Sequence, residues 1–402
     1  MQINTNQFKF LTGDYEVLCN MTAAPALPMF SEPVVSFLAD LSQKLLTDRN
    51  VRKYVDVMSY AYWIRKSFLI QAQQKHIDRS CRIGRGFAFH IAPSNVPVNF
   101  AVSMTSSLLA GNATAVRISN KAFEQVDVIC EAINSLLNES HEEMKPYLCI
   151  FRYEHDAAVT AELSSVCDIR VIWGGNATID SIRKAPLPPR AIELAFADRH
   201  SIAVIDAAKY LEADKREIAK GFYTDTYYTD QNACSSPRLV VWKGIKEEAE
   251  KACTIFWETL QEMVDQDYDM KPIQAINKYA SFCRLAMKKG DIRLRSSNNK
   301  LFRVEVKELT SDLMEYKDAG GYFFEYITDD LQELVPVLTK QCQTISVFGV
   351  EKEEVKKIVF ENGVRGVDRI VPLGQTMGLE FIWDGFKMIE SMTRFVYTGD
   401  YC

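Results

Sequence analysis

The chain has 402 residues, 47% of them apolar and 25% charged, with a net charge of −6; that is enough for two or three domains and implies no large cationic surface, which argues against nucleic-acid binding as the main function. Its ten cysteines are scattered, with no Cys-x-x-Cys pair and no Cys/His cluster at zinc spacing, which argues against a metal site and favours a reducing compartment over a disulfide framework. Met1 to Asp14 lacks the apolar centre of a signal peptide and no run of about 18 apolar residues occurs, so a cytoplasmic protein with no membrane span is expected.

Residues 1–31 are mixed, with Pro25 and Pro28 opposing regular structure. Ser31 is placed to cap a helix whose first turn suits Glu32 and Pro33. Val34, Phe37, Leu38, Leu41, Leu45 and Leu46 form its apolar stripe. A second helix is expected over 51–75, with Tyr54, Tyr60, Tyr62, Trp63 and Phe68 as packing residues. From residue 87 short strands and helices alternate. Strands are expected at Phe87 to Ala92, Thr114 to Ile118, Leu148 to Phe151, Ile169 to Trp173 and Ser201 to Ile205. Helices fall between them at Val98 to Leu109, Phe123 to Leu137 and Ala157 to Leu163. This rhythm predicts a parallel sheet covered by helices on both faces. Ligands of such sheets lie off the carboxyl ends of the strands, where Asn95, Arg117 and Gly174 fall. Lys184 to Arg190 reads as an exposed connection. Past residue 206 a second unit is expected, with helices over 212–221, 246–265 and 351–361 and strands at Phe323 to Ile327, Thr344 to Phe348 and Arg369 to Val371. The highly charged stretch 291–312 reads as a solvated excursion.

One cysteine differs from the rest. Cys234 sits in Tyr227 to Val241 among small and polar neighbours, which leave its sulfur reachable. Such a sulfur is a nucleophile where local dipoles or cations favour its thiolate; the bland alternative is a loop cysteine with no task. His90 or His200 could pair with it, or be satisfied surface or core residues. The side-chain amide of Asn95, in the turn Pro93-Ser94-Asn95-Val96-Pro97, offers two uncharged donors to an oxyanion, or else bonds its own backbone. Trp173-Gly174-Gly175-Asn176 joins a strand to a helix, where two glycines allow close backbone approach to a phosphate or simply make a turn. Gly84-Arg85-Gly86 begins a dinucleotide fingerprint, but residue 89 is Phe and the segment precedes a strand instead of following one.

Taken in order, these pieces resemble the aldehyde dehydrogenase superfamily. Pro93 to Pro97 resembles its Pro-Trp-Asn-Phe-Pro segment. Leu109 to Ser119 resembles the Ala-Gly-Asn segment ending in Lys-Pro-Ser. Trp173 to Asn176 resembles the Phe-Thr-Gly-Ser cofactor turn. Gln231-Asn232-Ala233-Cys234 resembles the Gly-Gln-x-Cys nucleophile segment, and Glu333-Leu334-Val335-Pro336-Val337 looks like a shortened Glu-x-Phe-Gly-Pro segment. Within the superfamily the sequence is most similar to the LuxC-type fatty acyl-CoA reductases, through Gln-Asn-Ala-Cys-Ser-Ser-Pro and the late Gly-Leu-Glu-Phe-Ile-Trp-Asp-Gly segment, 378–385. One departure is informative. The glutamate that activates water in most members is replaced by Phe196, which suits acyl exchange with a thiol better than release of a free acid, unless Asp198 or Glu193 takes over as base.

The resemblance implies an aldehyde dehydrogenase-like α/β fold. A Rossmann-like cofactor domain would comprise residues 1–205 with 371–402, the late segment either returning to that domain or serving oligomerisation, and a second α/β catalytic domain would comprise 206–370. It implies NADPH-dependent reduction of an acyl thioester to an aldehyde, with coenzyme A as part of the substrate. Cys234 and Asn95 would be the catalytic residues. Ser94, Arg117, Ser119, Gly174, Gly175, Asn176 and Glu333 would bind the cofactor, with Arg117, alone or with Lys121, on a 2′-phosphate. Expected partners are acyl-CoA or an acyl-protein thioester, an acyl-protein synthetase or transferase, and further copies of the chain. The alternatives are an acyl-phosphate reductase of the same superfamily, a non-reducing acyl carrier or transfer subunit, and a structural member with no chemistry.

Overall fold

Runs of apolar, β-branched and aromatic residues bounded by turns become strands, and amphipathic stretches between them become the covering helices. The computed structural model describes residues 7–154, 156–296 and 298–399. Its contacts divide the chain into two units, Met1–Ala197 with Leu379–Cys402, and Asp198–Gly378. These breaks fall at 197/198 and 378/379, where sequence had placed them at 205/206 and 370/371. The difference arises because strand His200–Asp206 registers with Pro237–Lys243 on one side and Cys342–Phe348 on the other, inside the second unit.

The first unit holds a six-stranded sheet of β1 (Lys9–Thr12), β2 (Phe87–Ile91), β3 (Ala113–Arg117), β4 (Leu148–Arg152), β5 (Ile169–Trp173) and β6 (Ile192–Phe196), in the order β1-β4-β3-β2-β5-β6. All pairs are parallel except β1 with β4. Every residue of β2, β3, β4 and β5 is buried, as expected of strands covered on both faces. The amino-terminal stretch read as mixed supplies the edge strand β1, anchored by Phe8 and Phe10 against Phe151. Gly111 ends helix Asn99–Leu109 with φ +93°; a Cβ there would lie 1.9 Å from the Leu27 carbonyl oxygen, so only glycine fits. The side-chain oxygen of Asn112 beside it accepts from the N–H groups of Arg85 and Gly86 at 2.7 and 3.2 Å, and its NH₂ donates to the carbonyls of Ser107 and Met392. The Ala-Gly-Asn segment is therefore a clamp on the fold.

Two local expectations are corrected. Ser31 occupies the N-cap of helix Glu32–Thr47, but its hydroxyl makes no cap bond and is buried without a partner. The helix expected over 51–75 is a 3₁₀ turn, Val51–Lys53, followed by helices Val55–Trp63 and Lys66–Lys75, with Arg65 extended at ψ 148°. Trp63 and Phe68, five positions apart, would point about 140° from each other on a straight helix. The break lets both rings pack on Phe381, at centroid distances of 4.5 and 6.1 Å.

The second unit holds a seven-stranded sheet of β7 (His200–Asp206), β8 (Pro237–Lys243), β9 (Ile292–Leu294), β10 (Phe302–Val306), β11 (Tyr322–Thr328), β12 (Cys342–Phe348) and β13 (Arg369–Pro372), in the order β9-β10-β11-β8-β7-β12-β13. Only β9 with β10 is antiparallel. The charged stretch 291–312 thus contributes two strands instead of a solvated excursion. Phe302, Val304 and Val306 face the core while Arg303 and Glu305 occupy the other face, an alternation that the charge had obscured. The helix expected over 212–221 is two helices, Ala207–Glu212 and Lys215–Thr226, each capped by an aspartate side chain, Asp206 and Asp214.

Candidate active site

In the first unit the chain runs from β2 to β3 and β4 on one side, then returns to β5 and β6 on the other. The carboxyl ends of β2 and β5 therefore flank a topological switch point, where parallel sheets take ligands. The turn 93–97 follows β2, with Ser94 and Asn95 both exposed, and Gly174 and Gly175 follow β5, with Gly175 at the N-cap of helix Asn176–Ile182. Arg117 closes β3 next door and Ser119 lies two residues on. Six of the expected cofactor residues therefore share this edge: Ser94, Arg117, Ser119, Gly174, Gly175 and Asn176. Beside them is a shallow depression floored by Pro97, Phe100, Ile118 and Phe123, with Ser119 and Lys121 also lining it. The exposed Lys121 ammonium lies 4.7 Å from the centroid of Phe123. Arg117 turns elsewhere: Nη2 donates to the Tyr153 carbonyl at 3.3 Å and the guanidinium lies 5.3 Å from that ring's centroid.

The other expected cofactor residue, Glu333, lies in the second unit, exposed in the 3₁₀ turn Leu331–Val337, where it accepts from the Tyr326 hydroxyl at 2.5 Å. His90 is a core residue: its Nδ1 meets the Ser103 hydroxyl at 2.7 Å, and complete burial depresses its pKa to about 3. The same hydroxyl accepts from the Trp173 indole at 2.9 Å. Phe196, in place of the glutamate base, stacks on Trp173 with centroids 3.7 Å apart and planes 11° apart. Glu193 is held by Arg170 at 2.5 Å and Arg183 at 2.7 Å, so both of its oxygens are committed.

In the second unit Cys234 occupies a turn just before β8, half-buried. Asp230 and Gln231 lead into the turn with positive φ, 53° and 58°. The turn is tied down on three sides. Gln231 is fully buried; its NH₂ donates to the carbonyls of Pro237 and Tyr322 at 2.8 and 3.0 Å, and its oxygen accepts from the N–H groups of Gly321 and Tyr322 at 3.0 and 3.1 Å. Every donor and acceptor of that amide is therefore used up in locking the turn to the start of β11. On β7 the Ser201 hydroxyl donates to the carbonyl of Cys234 itself at 2.8 Å. The Ser235 hydroxyl donates to the Met377 sulfur at 3.6 Å.

Two cations act on the sulfur. Arg238 is almost wholly buried and donates to the Asp318 carbonyl. Burial lowers its pKa to about 10, opposed by attraction to Cys234 and then Asp318. Burial also lowers the pKa of Lys317, helped by Arg238 and opposed by Asp198 and Cys234. The attraction is mutual, so both cations favour negative charge at the Cys234 sulfur. His200, at the start of β7, is buried; desolvation first, then Lys317, Arg199 and Arg238, push its pKa down to about 4, with the Val337 carbonyl opposing. Its ring is therefore neutral at physiological pH.

Sequence alone singled out Cys234 but no role for Arg238, Lys317, Ser201 or Met377. Arg238 carried a signal: an arginine inside the apolar run that becomes β8 must be buried, and a buried guanidinium needs a partner. The others act through contacts more than 30 residues away in the chain, and nothing local marks them.

With this geometry in place, a family profile described as Acyl-CoA reductase (LuxC) matches residues 11–395. The chain belongs to this family. A long-chain acyl-protein thioester reductase from Aliivibrio fischeri is 22% identical over 322 residues, covering 78% of this chain and 64% of that protein. The chain thus spans less than two thirds of that LuxC relative. Solved structures of similar fold include a variant of Thermus thermophilus 1-pyrroline-5-carboxylate dehydrogenase, with TM-score 0.63, 12% identity and coverage of 93% of this chain and 79% of that one. Another is PnpE in complex with nicotinamide adenine dinucleotide, with TM-score 0.65, 13% identity and coverage of 94% and 86%. The LuxC-family chain therefore has an aldehyde dehydrogenase-like α/β fold. Among the described residues no helix is long and apolar enough to cross a membrane, and no cluster of His, Cys, Asp and Glu could hold a metal ion.

Proposed function

We propose that the protein reduces an acyl thioester, acyl-CoA or an acyl group on a protein thiol, to an aldehyde through an acyl-enzyme on Cys234. The observation that carries this reading is the Cys234 turn: a half-buried thiol, locked by Gln231 and Ser201, with Arg238 and Lys317 drawing negative charge onto its sulfur. The thiolate attacks the acyl carbon. The backbone N–H of Cys234 donates to the developing oxyanion, and the donor's thiol leaves as thiolate and takes a proton from solvent. Ser94, Ser119, Gly174, Gly175 and Asn176, with Lys121 at a 2′-phosphate, would hold NADPH. When bound, NADPH supplies the hydride that takes the acyl group to the aldehyde level. Arg238 and Lys317 then stabilise Cys234 again as the leaving thiolate. Phe196 and the committed Glu193 leave no carboxylate at those two positions to activate water, which supports exchange with a thiol over release of a free acid. The name of the A. fischeri relative supports a thioester donor. An acyl-protein synthetase or transferase that loads the donor, and self-association, complete the proposal.

The test offers acyl-CoA, an acyl-protein thioester and an acyl phosphate in turn, with NADPH or NADH, and follows aldehyde and intact mass together. Acylation of the wild type by a thioester, discharged as aldehyde on adding NADPH, is the expected result. Aldehyde formed from acyl phosphate alone would make it the acyl-phosphate reductase, and acylation that no nicotinamide discharges would make it the non-reducing carrier.

A further inference from the structure

Of the three ties on the Cys234 turn, the one from Ser235 to Met377 leads on to a buried carboxylate. Met377, which accepts from Ser235, belongs to a turn that follows β13, residues 373–377. That turn is pinned by Asp225 of helix Lys215–Thr226. The Asp225 carboxylate is fully buried and accepts from the N–H of Gly374 at 2.6 Å and of Thr376 at 2.9 Å, one oxygen to each. The approach is possible because two glycines meet there. A Cβ on Gly221, one helical turn before Asp225, would lie 3.2 Å from the Gly374 Cα, and Gly374 itself has φ +87°. On the far side of the turn Arg369 faces Asp225 and donates to the carbonyls of Thr376 and Gly378 at 3.1 and 3.3 Å. The helix that carries Asp225 also runs directly into the Cys234 turn, where the Gln231 N–H donates to the Thr226 carbonyl at 2.7 Å.

We propose that Asp225 is a positioning residue for Cys234, seating the 373–377 turn so that Met377 holds Ser235 and hence the backbone that carries the nucleophile. The proposal rests on the reading of Cys234 as the nucleophile. Ionised, the two oxygens accept at full strength. A proton on one of them weakens that oxygen as an acceptor of the Gly374 or Thr376 N–H and adds a buried O–H that needs an acceptor of its own, and the turn shifts to satisfy it. Burial raises the Asp225 pKa from 3.8 to about 6, against the pull of the two N–H groups and Arg369, so the change falls in a range that proteins meet. The sign separates it from unfolding. The folded state holds this proton between about 4 and 6 while the unfolded chain releases it, so this group's contribution to stability rises as pH falls through that window. Acid thus loosens the Cys234 turn without unfolding the unit on account of Asp225.

The experiment measures the rate at which iodoacetamide alkylates Cys234, resolved at the peptide level, from pH 5 to 8.5, in the full-length wild type, Asp225→Asn and Ser235→Ala. It needs neither acyl thioester nor cofactor, so a failure of the reductase reading leaves it intact, and its own failure leaves that reading intact. Expected for the wild type is a second inflection near pH 6, of roughly three- to tenfold, beyond the thiol's own titration. Asp225→Asn cannot titrate and Ser235→Ala cuts the relay while leaving Asp225 in place, so both lose the inflection. A wild-type profile with only the thiol's titration, or an inflection retained in either folded variant, overturns the proposal. If Asp225→Asn does not fold, Ser235→Ala decides alone.

Discussion

Cys234 precedes β8 and Cys253 follows it, on helix Lys246–Asp267, and the two sulfurs meet opposite surroundings. Cys234 is half-buried beside Arg238 and Lys317. Cys253 is buried, and its S–H donates to the Glu325 carboxylate at 2.8 Å. Glu325 also accepts from the indoles of Trp242, at 2.9 Å, and Trp257, and pairs with Arg303 at 2.6 Å. Burial and the neighbouring Glu325 raise the Cys253 pKa far above the usual thiol range, with Arg303 opposing. The same residue type is held as a neutral hydrogen-bond donor beside a carboxylate at one place and faces two cations at the other. The sign of the nearest charge and the access to solvent set the two sulfurs apart, and cysteine content says nothing about either.

The sharpest way to break the comparison is to replace each CH₂SH side chain with a methyl group. Cys234→Ala should lower aldehyde formation by roughly a thousandfold or more, while Cys253→Ala stays within a few-fold of wild type; intact mass after incubation with acyl-CoA checks both. Glu325→Gln should be next in size. It leaves Arg303 as an uncompensated charge where the pair had been satisfied, and the loss in a urea melt should be about 3 kcal/mol. A melt unchanged by that substitution would show that Glu325 does not organise the Cys253 side. On the Cys234 side, Arg238→Met should slow alkylation of Cys234 near neutral pH by roughly tenfold, and Lys317→Met by about threefold, since its ammonium is less buried. Equal rates in all three proteins would remove the cations from the account. The smallest effect concerns Lys278, which is fully buried and donates to the carbonyls of Gly320 and Asn299 beneath the Gln231 lock. Burial depresses its pKa from 10.5 to about 8. The unfolded chain therefore binds more protons between those values, and this residue's contribution to stability rises with pH across that window. Lys278→Met should flatten the slope, as melts at pH 8 and 10 would register.

Much of the fold was legible because burial on both faces demands apolar residues throughout. The strands β2 to β5 and β7 announce themselves in this way, and so does the alternation with helices. Cys234 stood out for a local reason as well, its small neighbours, and the turn after β5 for its paired glycines. Strand β10 did not stand out, because half of its side chains are charged and the apolar half is visible only once a sheet gives it a face. The break at Arg65 was also hidden, since it answers to Phe381, a ring more than 300 residues distant in sequence.

Sequence by itself determined the α/β class, the switch-point turns and the cysteine that stands apart. Tertiary structure decided what surrounds that cysteine. Arg238 finds its acceptor 80 residues away and Asp225 finds Thr376 at a separation of 151. The physical reason is range. Propensity and periodicity act between residues a few positions apart, whereas a buried charge is satisfied by whichever backbone group the completed fold brings within hydrogen-bonding distance, and chain separation places no limit on that.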